Sequence, residues 1–425
     1  EQMPKDLDNA IARLSASEIA AKVKSKEMSA LEVTETALRR MDILEPYIQA
    51  FSVRTPDLAR AAAAAVDAKI AAGQDPGPLA GVPIGIKDLV TTKGVVTSMG
   101  SRLYEGWIPD EDDIVVERLK AAGAVIVGKT NVPELGYSGV GHNPLGQTTR
   151  NPWNLALTPG GSSAGSGASV ASGVTPFAIG SDGGGSVRIP AAHSGLFGMK
   201  ASMGRVPLYP GCRDERFPGV SSWETLEHIG PMSRTVADSA LMLSVIAAGP
   251  DMRDRYSIPG PEFDWNTVAQ AGSIKGLRVA YSSDWGYTPV DPEVRRIVGE
   301  AVRVFETDLG CVVEEAHPGW TDPGAAFWAL VAADTDLTGM RRMIAGRESE
   351  VSPHIVSLVQ KDWTGAEFTD AKAVRQSVVN RMWRFMQRFD ILLTPTLAVP
   401  PFPVHMQGPE IIDGQMVANG LQAAD

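Results

Sequence analysis

The stretch TPGGSSAGSGASVASGVTPFAIGSDGGGSVRIPAAHSGLFGMK, residues 158–200, decides the fold of this chain. It contains two clusters of glycine and serine, GGSSAGSG at 160–167 and GSDGGGSVR at 180–188. Apolar residues such as Phe177 and Ile179 lie between them, whereas a flexible linker would consist of small polar residues throughout. We therefore expect the glycines to let backbone approach backbone or a ligand closely.

Helix and strand patterns alternate along the first half of the chain. Ser15 and Ser29 are each followed three residues later by Glu, as in a capping box, and Pro56 stands where a proline begins an alanine-rich helix. The apolar runs at 79–90 and 124–129 predict strands, with a helix before the second. Strands that alternate with helices indicate an α/β fold with parallel pairing.

The same logic continues through the central stretch and the second half. Small residues at 164–172 predict a helix, and residues 175–179 predict a strand. Further strands are predicted at 276–282 and 311–316, and mainly helices at 320–389. The run FDILLTPTLAVPP, residues 389–401, predicts a late core strand that ends in a proline-rich turn.

Composition excludes several classes of protein. The chain has 425 residues, 44% of them hydrophobic, and a formal net charge of −11, without a run of Lys and Arg that would indicate nucleic-acid binding. Cys212 and Cys311 form no CxxC pattern, so neither a disulfide framework nor a zinc knuckle is indicated. The N-terminus lacks the pattern of a signal peptide, and no apolar run predicts a membrane span. We expect a cytoplasmic protein.

Lys87 lies in the middle of an apolar run, between Ile86 and Leu89. Its side chain would either extend from a strand edge to water or remain buried. Burial would lower the pKa of the amine and allow it to act as a base. The local pattern leaves both interpretations open and slightly favours the first.

The first glycine cluster permits one catalytic interpretation. It has neither the lysine of a phosphate-binding P-loop nor the G-x-G-x-x-G pattern of a dinucleotide site. Residues 161–165 match G-x-S-x-G, which would make Ser163 the nucleophile of an α/β-hydrolase. That motif should follow a core strand, and the preceding residues NLALTPGG do not predict one.

The second cluster suits an oxyanion hole. Consecutive glycines before Ser186 would let several backbone N–H groups converge on one point, although a simple glycine turn explains the pattern equally well. Asp182 and Arg188 are expected to pair and fix this turn, and His193 to pack among small residues. Neither HExxH nor a clustered ligand set occurs, so we expect no metal.

Three strings together resemble the amidase signature family: GVPIGIKD at 81–88, GGSSAGSGA at 160–168 and GSDGGGSVRIPAAHSGLFGMK at 180–200. Their order and spacing are also similar to the family's, as are GKTNVPELG and RNPWN. The resemblance extends from about residue 15 to 315.

The resemblance implies a catalytic triad in which Lys87 is the base, Ser162 a bridging serine and Ser186 the nucleophile. It also implies a cis peptide bond between Gly161 and Ser162. The backbone N–H groups of three glycines and the nucleophile, Gly183, Gly184, Gly185 and Ser186, would stabilise the oxyanion. Tyr137, Ser138 and His142 are implied to contact the substrate.

The fold implied is α/β, with one large twisted mixed sheet covered by helices on both faces. We expect a single amidase domain over residues 1–425, with N-terminal helices at 15–75, the signature core at 76–250, and a helical lobe with returning strands at 251–425. The chain ends soon after Pro400 without the Gly/Pro-rich segment that closes the family fold, which indicates a truncated C-terminus or absent residues.

The function implied is hydrolysis of the C–N bond of a small-molecule amide, anilide or carbamate through an acyl-enzyme on Ser186, without a cofactor. The stretch at 209–231 differs from that of the transamidosome glutaminase component, so we expect a free-standing amidase, monomeric or homodimeric, whose pocket this stretch helps to shape. The alternatives are an α/β-hydrolase-type esterase that uses Ser163 and a binding protein without catalysis.

Overall fold

The computed structural model describes residues 3–4, 10–211, 223–270 and 272–417. Within them, helices surround a mixed β-sheet, so the predicted α/β fold is confirmed. Three parts of the sequence predictions fall wholly or partly outside these residues: Cys212, much of the stretch at 209–231, and the last residues, 418–425.

The central sheet has six strands in the order β1-β3-β2-β4-β6-β5. β2 is parallel to both of its neighbours, β3 and β4, while β1, β5 and β6 pair antiparallel. Every residue of β2, β3 and β4 is buried, as expected for strands covered on both faces. The strands are β1 (Phe51–Arg54), β2 (Pro83–Lys87), β3 (Val125–Thr130), β4 (Phe177–Asp182), β5 (Phe197–Gly198) and β6 (His228–Ser233).

Strand β4 extends further than the sequence pattern predicts. The predicted strand ended at Ile179, but Gly180, Ser181 and Asp182 continue the ladder opposite β6. This pairing joins residues almost fifty positions apart in the chain, so the local glycine-rich composition hid it. As a consequence, the second glycine cluster begins inside the core sheet.

Three helices of the first half begin where their local signals predict. Ser15 and Ser29 accept hydrogen bonds from the backbone N–H groups of Glu18 and Glu32, and Pro56 is the first residue of its helix. The helices are α1 (Ala10–Arg13), α2 (Ala16–Lys24), α3 (Ala30–Ile48), α4 (Pro56–Ala71), α5 (Ile114–Ala121), α6 (Ala164–Ala171), α7 (Arg188–Ser194) and α8 (Val236–Ile246). Short 3₁₀ turns occur at Arg102–Tyr104, Glu134–Gly136 and Glu348–Glu350.

The strands predicted after residue 270 pair with one another in a second, parallel sheet of order β8-β7-β9. Its strands are β7 (Arg278–Tyr281), β8 (Val312–Glu315) and β9 (Ile391–Leu393), and a hairpin of β10 (Ile411–Ile412) and β11 (Gln415–Met416) follows. The predicted helical region between them is confirmed. The helices after residue 250 are α9 (Trp265–Val268), α10 (Pro292–Thr307), α11 (Gly324–Ala333), α12 (Leu337–Ile344), α13 (Pro353–Gln360) and α14 (Gly365–Phe385).

The largest apolar core lies between the central sheet and the helices of the first half. Residues of α2, α3, α4, α5 and α8 pack there against β2, β3 and β4. A second apolar cluster joins α11, α12 and α13 to Met99 and Tyr137, which lie beyond the ends of β2 and β3. Across the described ranges, none of the helices has the length and apolar content that crossing a bilayer requires.

Candidate active site

Lys87 is the last residue of β2, and its side chain is completely buried. Its Nζ atom donates to Ser162 Oγ at 2.7 Å and to the carbonyl oxygen of Ser181 at 3.0 Å. The side chain therefore does not extend to water. The lysine is buried because β2 has a parallel strand on each side. The local sequence pattern alone did not show these neighbours.

Ser162 reaches this amine from the loop before α6, and the peptide bond between Gly161 and Ser162 is cis, as predicted. A Cβ atom at Gly161 would overlap the backbone of Val140, so only glycine fits at this position. The serine itself is almost completely buried. The first glycine cluster thus allows two backbone segments to meet next to Lys87.

Ser186 stands between the end of β4 and the start of α7, directly after three glycines. It lines the same cavity as Ser162, together with Ser181 and Gly183. Its carbonyl oxygen accepts a hydrogen bond from the N–H of Ser163 at 3.2 Å, which ties the two glycine clusters together. The structure therefore brings Lys87, Ser162 and Ser186 to one place from three separate segments.

Asp182 organises the loop that carries Ser186. Its carboxylate accepts from the backbone N–H groups of Gly185 at 2.8 Å and Val187 at 3.2 Å. Arg188 donates to both carboxylate oxygens, from Nε at 2.8 Å and Nη2 at 2.9 Å. Burial alone would raise the pKa of Asp182, but these donors outweigh it and lower the pKa to about 2. The expected pairing of Asp182 with Arg188 is present.

The bonds of Asp182 reduce the set of oxyanion donors that the sequence suggested. The N–H of Gly185 already donates to the Asp182 carboxylate, so it is not directed at a substrate. Gly183 and Ser186 line the cavity, and Gly184 lies between Gly183 and Gly185. Gly183, Gly184 and Ser186 therefore remain as candidates.

Apolar side chains line most of the cavity beyond the serines. Leu89 and Met99 follow β2, and Leu135 and Tyr137 follow β3, so the loops at the ends of two parallel strands form its wall. The wall also includes two carboxylate side chains, Asp113 and Glu227, and none of the described residues that line the cavity is Lys or Arg. Its remaining members are Val90, Gly136, Leu208, Gly211, Trp223 and Ile229.

The three residues implied to contact substrate do not lie together. Tyr137 lines the cavity with the serines, and its ring packs edge-on against Trp223 with the centroids 5.2 Å apart. Ser138 and His142 instead line a second cavity, next to His354. The two cavities are neighbours, because His354 Nε2 lies 3.1 Å from the carbonyl oxygen of Tyr137.

Two aromatic residues contact the glycine loop. Trp223 belongs to the stretch at 209–231 that was expected to shape the pocket, whereas Phe327 was not singled out from the sequence. A Cβ atom at Gly183 would collide with the ring of Trp223, and one at Gly184 with the ring of Phe327. Phe327 belongs to α11, so a helix from the second half of the chain reaches the loop that carries Ser186. No local signal points to Phe327, since its contact depends on how the second half of the chain packs.

Ser163, the alternative nucleophile, is fully buried and does not line the cavity. Its hydroxyl donates to the carbonyl oxygen of Ser181 at 3.2 Å and accepts from the N–H of Ser181 at 3.1 Å. Both bonds join the start of α6 to β4. Its hydroxyl thus serves the packing of α6 on the sheet.

His193 packs against Phe402, as expected for a core histidine. Its Nε2 lies 3.2 Å from the carbonyl oxygen of Val399, which assigns the proton to Nε2, while Nδ1 is buried without a hydrogen bond. Burial lowers the pKa of His193 to about 4, against a partial opposing effect of the Val399 carbonyl. Within the described residues, no three His, Cys, Asp or Glu side chains are grouped to hold a metal ion.

We expect His193 to make the folded state less stable in acid. Its pKa in the unfolded chain is about 6.5, so on going from pH 6.5 to pH 4 the unfolded chain binds a proton that the folded chain does not bind. The full effect is on the order of 3 kcal/mol. His193→Gln keeps a donor for Val399 and cannot become charged, so its melting temperature should fall less over this range than the parent's.

The matched control is His405→Gln, because His405 is exposed. It should melt with the pH dependence of the parent protein. Equal slopes for the parent and His193→Gln would show that His193 does not carry this effect.

Known proteins are similar to this chain in both sequence and fold. The sequence profile of the family described as Amidase matches residues 32–423. An acylamidase from Rhodococcus erythropolis is 38% identical over 417 residues, which cover 96% of this chain and 84% of that protein. A component of the glutamyl-tRNA(Gln) amidotransferase from Carboxydothermus hydrogenoformans is 38% identical over 415 residues, 92% of this chain and 83% of that protein.

Solved structures of similar proteins have the same fold as this chain. A bacterial aryl acylamidase of the amidase signature family superposes with a TM-score of 0.90 at 30% identity, over 98% of this chain and 87% of that one. A 6-aminohexanoate cyclic dimer hydrolase in complex with its substrate has a TM-score of 0.83 at 27% identity, over 98% and 85% of the two chains. With a profile match over residues 32–423 and relatives that align along most of their own length, this chain belongs to the Amidase family and is an amide-hydrolysing enzyme.

Proposed function

We propose that the enzyme cleaves a neutral, largely apolar amide, anilide or carbamate through an acyl-enzyme on Ser186. The observation that carries the proposal is the buried hydrogen bond of 2.7 Å between Lys87 Nζ and Ser162 Oγ, beside the cavity that Ser162 and Ser186 both line. A buried amine without its proton is a base, and this one has a serine hydroxyl as its hydrogen-bond partner.

In the first step, Ser186 Oγ attacks the carbonyl carbon of the substrate. Its proton passes to Ser162 Oγ, and the proton of Ser162 passes to the neutral amine of Lys87. The same relay then runs in reverse and delivers a proton to the departing nitrogen as the C–N bond breaks. The products of this step are a free amine and an ester between the acyl group and Ser186.

In the second step, water takes the place of the Ser186 hydroxyl. It gives up a proton along the same relay, attacks the ester carbon, and releases the carboxylic acid and Ser186. A carbamate would follow the same path: its amine leaves first, and water then releases a carbonic acid monoester, which breaks down to an alcohol and CO₂. Each cycle leaves Lys87 in its starting protonation state.

The negative charge that develops on the carbonyl oxygen needs donors that are already in place. We assign this role to the backbone N–H groups of Gly183, Gly184 and Ser186, because the carboxylate of Asp182 takes the N–H of Gly185 and fixes the loop. Trp223 and Phe327 pack on Gly183 and Gly184 and limit the movement of those donors.

The lining of the cavity suggests the substrate class. Tyr137, Trp223 and Met99 favour an aromatic or bulky apolar group. A substrate with a free carboxylate, such as glutamine, would meet Asp113 and Glu227 and no basic residue among the described lining. This favours a free-standing amidase over a component of an amidotransferase, although relatives of both kinds are similar to the chain.

A hydrolysis panel tests the proposed function. It compares an anilide, an aliphatic amide, a phenyl carbamate and glutamine, each with the parent protein and with Ser186→Ala. We expect the anilide or the carbamate to be cleaved fastest and glutamine slowest, with all cleavage lost in the variant. Preferential cleavage of glutamine would contradict the proposed substrate class.

Ser163→Ala separates this proposal from the esterase alternative. The variant leaves the N–H of Ser181 without its buried acceptor, which should lower the free energy of unfolding by about 1–3 kcal/mol. Because Ser163 takes no part in the proposed steps, we expect kcat for the best substrate of the panel to stay within about tenfold of the parent. A loss as large as that of Ser186→Ala would instead assign the nucleophile to Ser163.

A further inference from the structure

A pair of buried charged side chains lies directly beside Lys87. Asp88 and Lys129 are both fully buried, and Lys129 Nζ lies 3.9 Å from Asp88 Oδ1. Neither side chain lines the cavity or enters the proposed proton relay. Removing two charges from water costs several kcal/mol per ion, and an apolar pair of the same size often serves stability equally well.

The two side chains hold the loop that follows β2. Lys129 Nζ donates to the carbonyl oxygen of Val90 at 2.7 Å and to Thr97 Oγ1 at 2.8 Å. The carboxylate of Asp88 accepts from the hydroxyl and the N–H of Ser98. The loop is thus fixed at its beginning, at 88–90, and near its end, at 97–98.

The residues that these bonds hold are connected to the backbone of Lys87 by further hydrogen bonds. The N–H of Val90 donates to the carbonyl oxygen of Lys87 at 2.9 Å and so closes the turn after Lys87. Lys129 binds the carbonyl oxygen of this same residue, Val90. The N–H of Asp88 donates to the carbonyl oxygen of Thr130 at 3.0 Å, which fixes the same turn to β3. Leu89, inside this turn, lines the cavity.

We propose that Asp88 and Lys129 are positioning residues, which hold the turn after β2 so that Lys87 Nζ stays within hydrogen-bonding distance of Ser162 Oγ. The inference rests on the proposed function, in which Lys87 is the base. Directional donors suit this task better than apolar contacts, because a displacement of about 1 Å in a catalytic group can reduce the rate about 10²-fold.

The protonation of the pair is consistent with this role. Burial lowers the pKa of Lys129 to about 8, and the charge of Asp88 opposes that effect. Burial likewise raises the pKa of Asp88, which Lys129 and Ser98 oppose. Each residue therefore favours the charged form of the other, and removing one alone would leave an uncompensated buried group.

The test replaces both partners at once, in Asp88→Asn combined with Lys129→Met, so that no uncompensated charge remains. Its readouts are kcat and KM for p-nitroacetanilide and the rate at which a fluorophosphonate labels Ser186. We expect kcat and the labelling rate to fall about 10–100-fold, with KM within about twofold of the parent. Asp238→Asn is the matched control, because Asp238 is another buried carboxylate, which accepts from the N–H of Ala16 at 2.8 Å. It should lower the melting temperature without changing either rate.

A milder variant keeps the test decisive if the double variant does not fold. Thr97→Val removes one acceptor of Lys129 and should lower the labelling rate about threefold or more. If the folded double variant has the same kcat and labelling rate as the parent, the positioning role is overturned and the proposed function is not affected. If the double variant does not fold, the same conclusion follows from a parent labelling rate in Thr97→Val. A parent protein that the reagent does not label at Ser186 would overturn both.

Discussion

Ser186→Ala is expected to abolish hydrolysis, with a fall in kcat on the order of 10⁶-fold, as for the loss of the nucleophile in other serine hydrolases. The variant removes the only oxygen that forms the acyl bond in the proposed mechanism, but it leaves the loop in place. Asp182 still binds the backbone of Gly185 and Val187, so the fold and the binding of substrate should change little. The measurement is kcat for the best substrate of the panel, together with the melting temperature.

Ser194→Ala is the matched control for this variant. Ser194 is a buried serine on α7, the helix after the nucleophile, and its hydroxyl donates to the carbonyl oxygen of Pro159 at 3.0 Å. It should cost stability and leave kcat within a few-fold of the parent. If Ser186→Ala keeps a substantial part of the parent rate, Ser186 is not the nucleophile.

Lys87→Met is expected to lower kcat by about 10²–10⁴-fold, the range that general base catalysis contributes. Methionine fills nearly the same volume and has no amine, so Ser162 loses its hydrogen-bond partner while the packing around β2 is preserved. The rate that remains should no longer fall in acid, because the group whose protonation we expect to stop the reaction is gone. The measurement is the pH dependence of kcat for the parent and the variant.

Lys120→Met controls for the loss of a positive charge. Lys120 forms a partly exposed ion pair with Asp112 at 2.8 Å, which should contribute little to stability or rate. We expect it to keep both the rate and the pH profile of the parent. A nearly normal Lys87→Met variant would refute the assignment of Lys87 as base.

Much of the secondary structure can be predicted because its signals are local. The serine caps at Ser15 and Ser29 and the proline at Pro56 begin their helices as expected, since each acts on residues within one turn. The extent of β4 could not be predicted in the same way. Its last three residues are strand only because β6 lies opposite.

The candidate site also has features that the sequence could predict and features that it could not. The family resemblance, carried by the spacing of the motifs, pointed to Lys87, Ser162 and Ser186, and the structure brings them together. The local pattern around Lys87 had favoured an exposed side chain. Burial of that lysine depends on β3 and β4, which pair on either side of β2. The residues next to Lys87 in the sequence do not show which strands will pair with β2.

Details within the site depend on single contacts. Three glycines in a row suggested equivalent donors, but Asp182 binds the N–H of Gly185 and so distinguishes it from Gly183 and Gly184. Phe327 reaches this loop from a helix well over a hundred residues later in the chain. Packing of this kind has no signature in the sequence near the glycines.

The central claim is that Ser186, activated through Ser162 by Lys87, forms the covalent intermediate. The most direct test is to label the parent protein with a fluorophosphonate, digest it, and locate the adduct by mass spectrometry. The mechanism predicts one adduct, on Ser186, which forms much more slowly in Lys87→Met. An adduct on Ser163, or no adduct on the active parent protein, would contradict it.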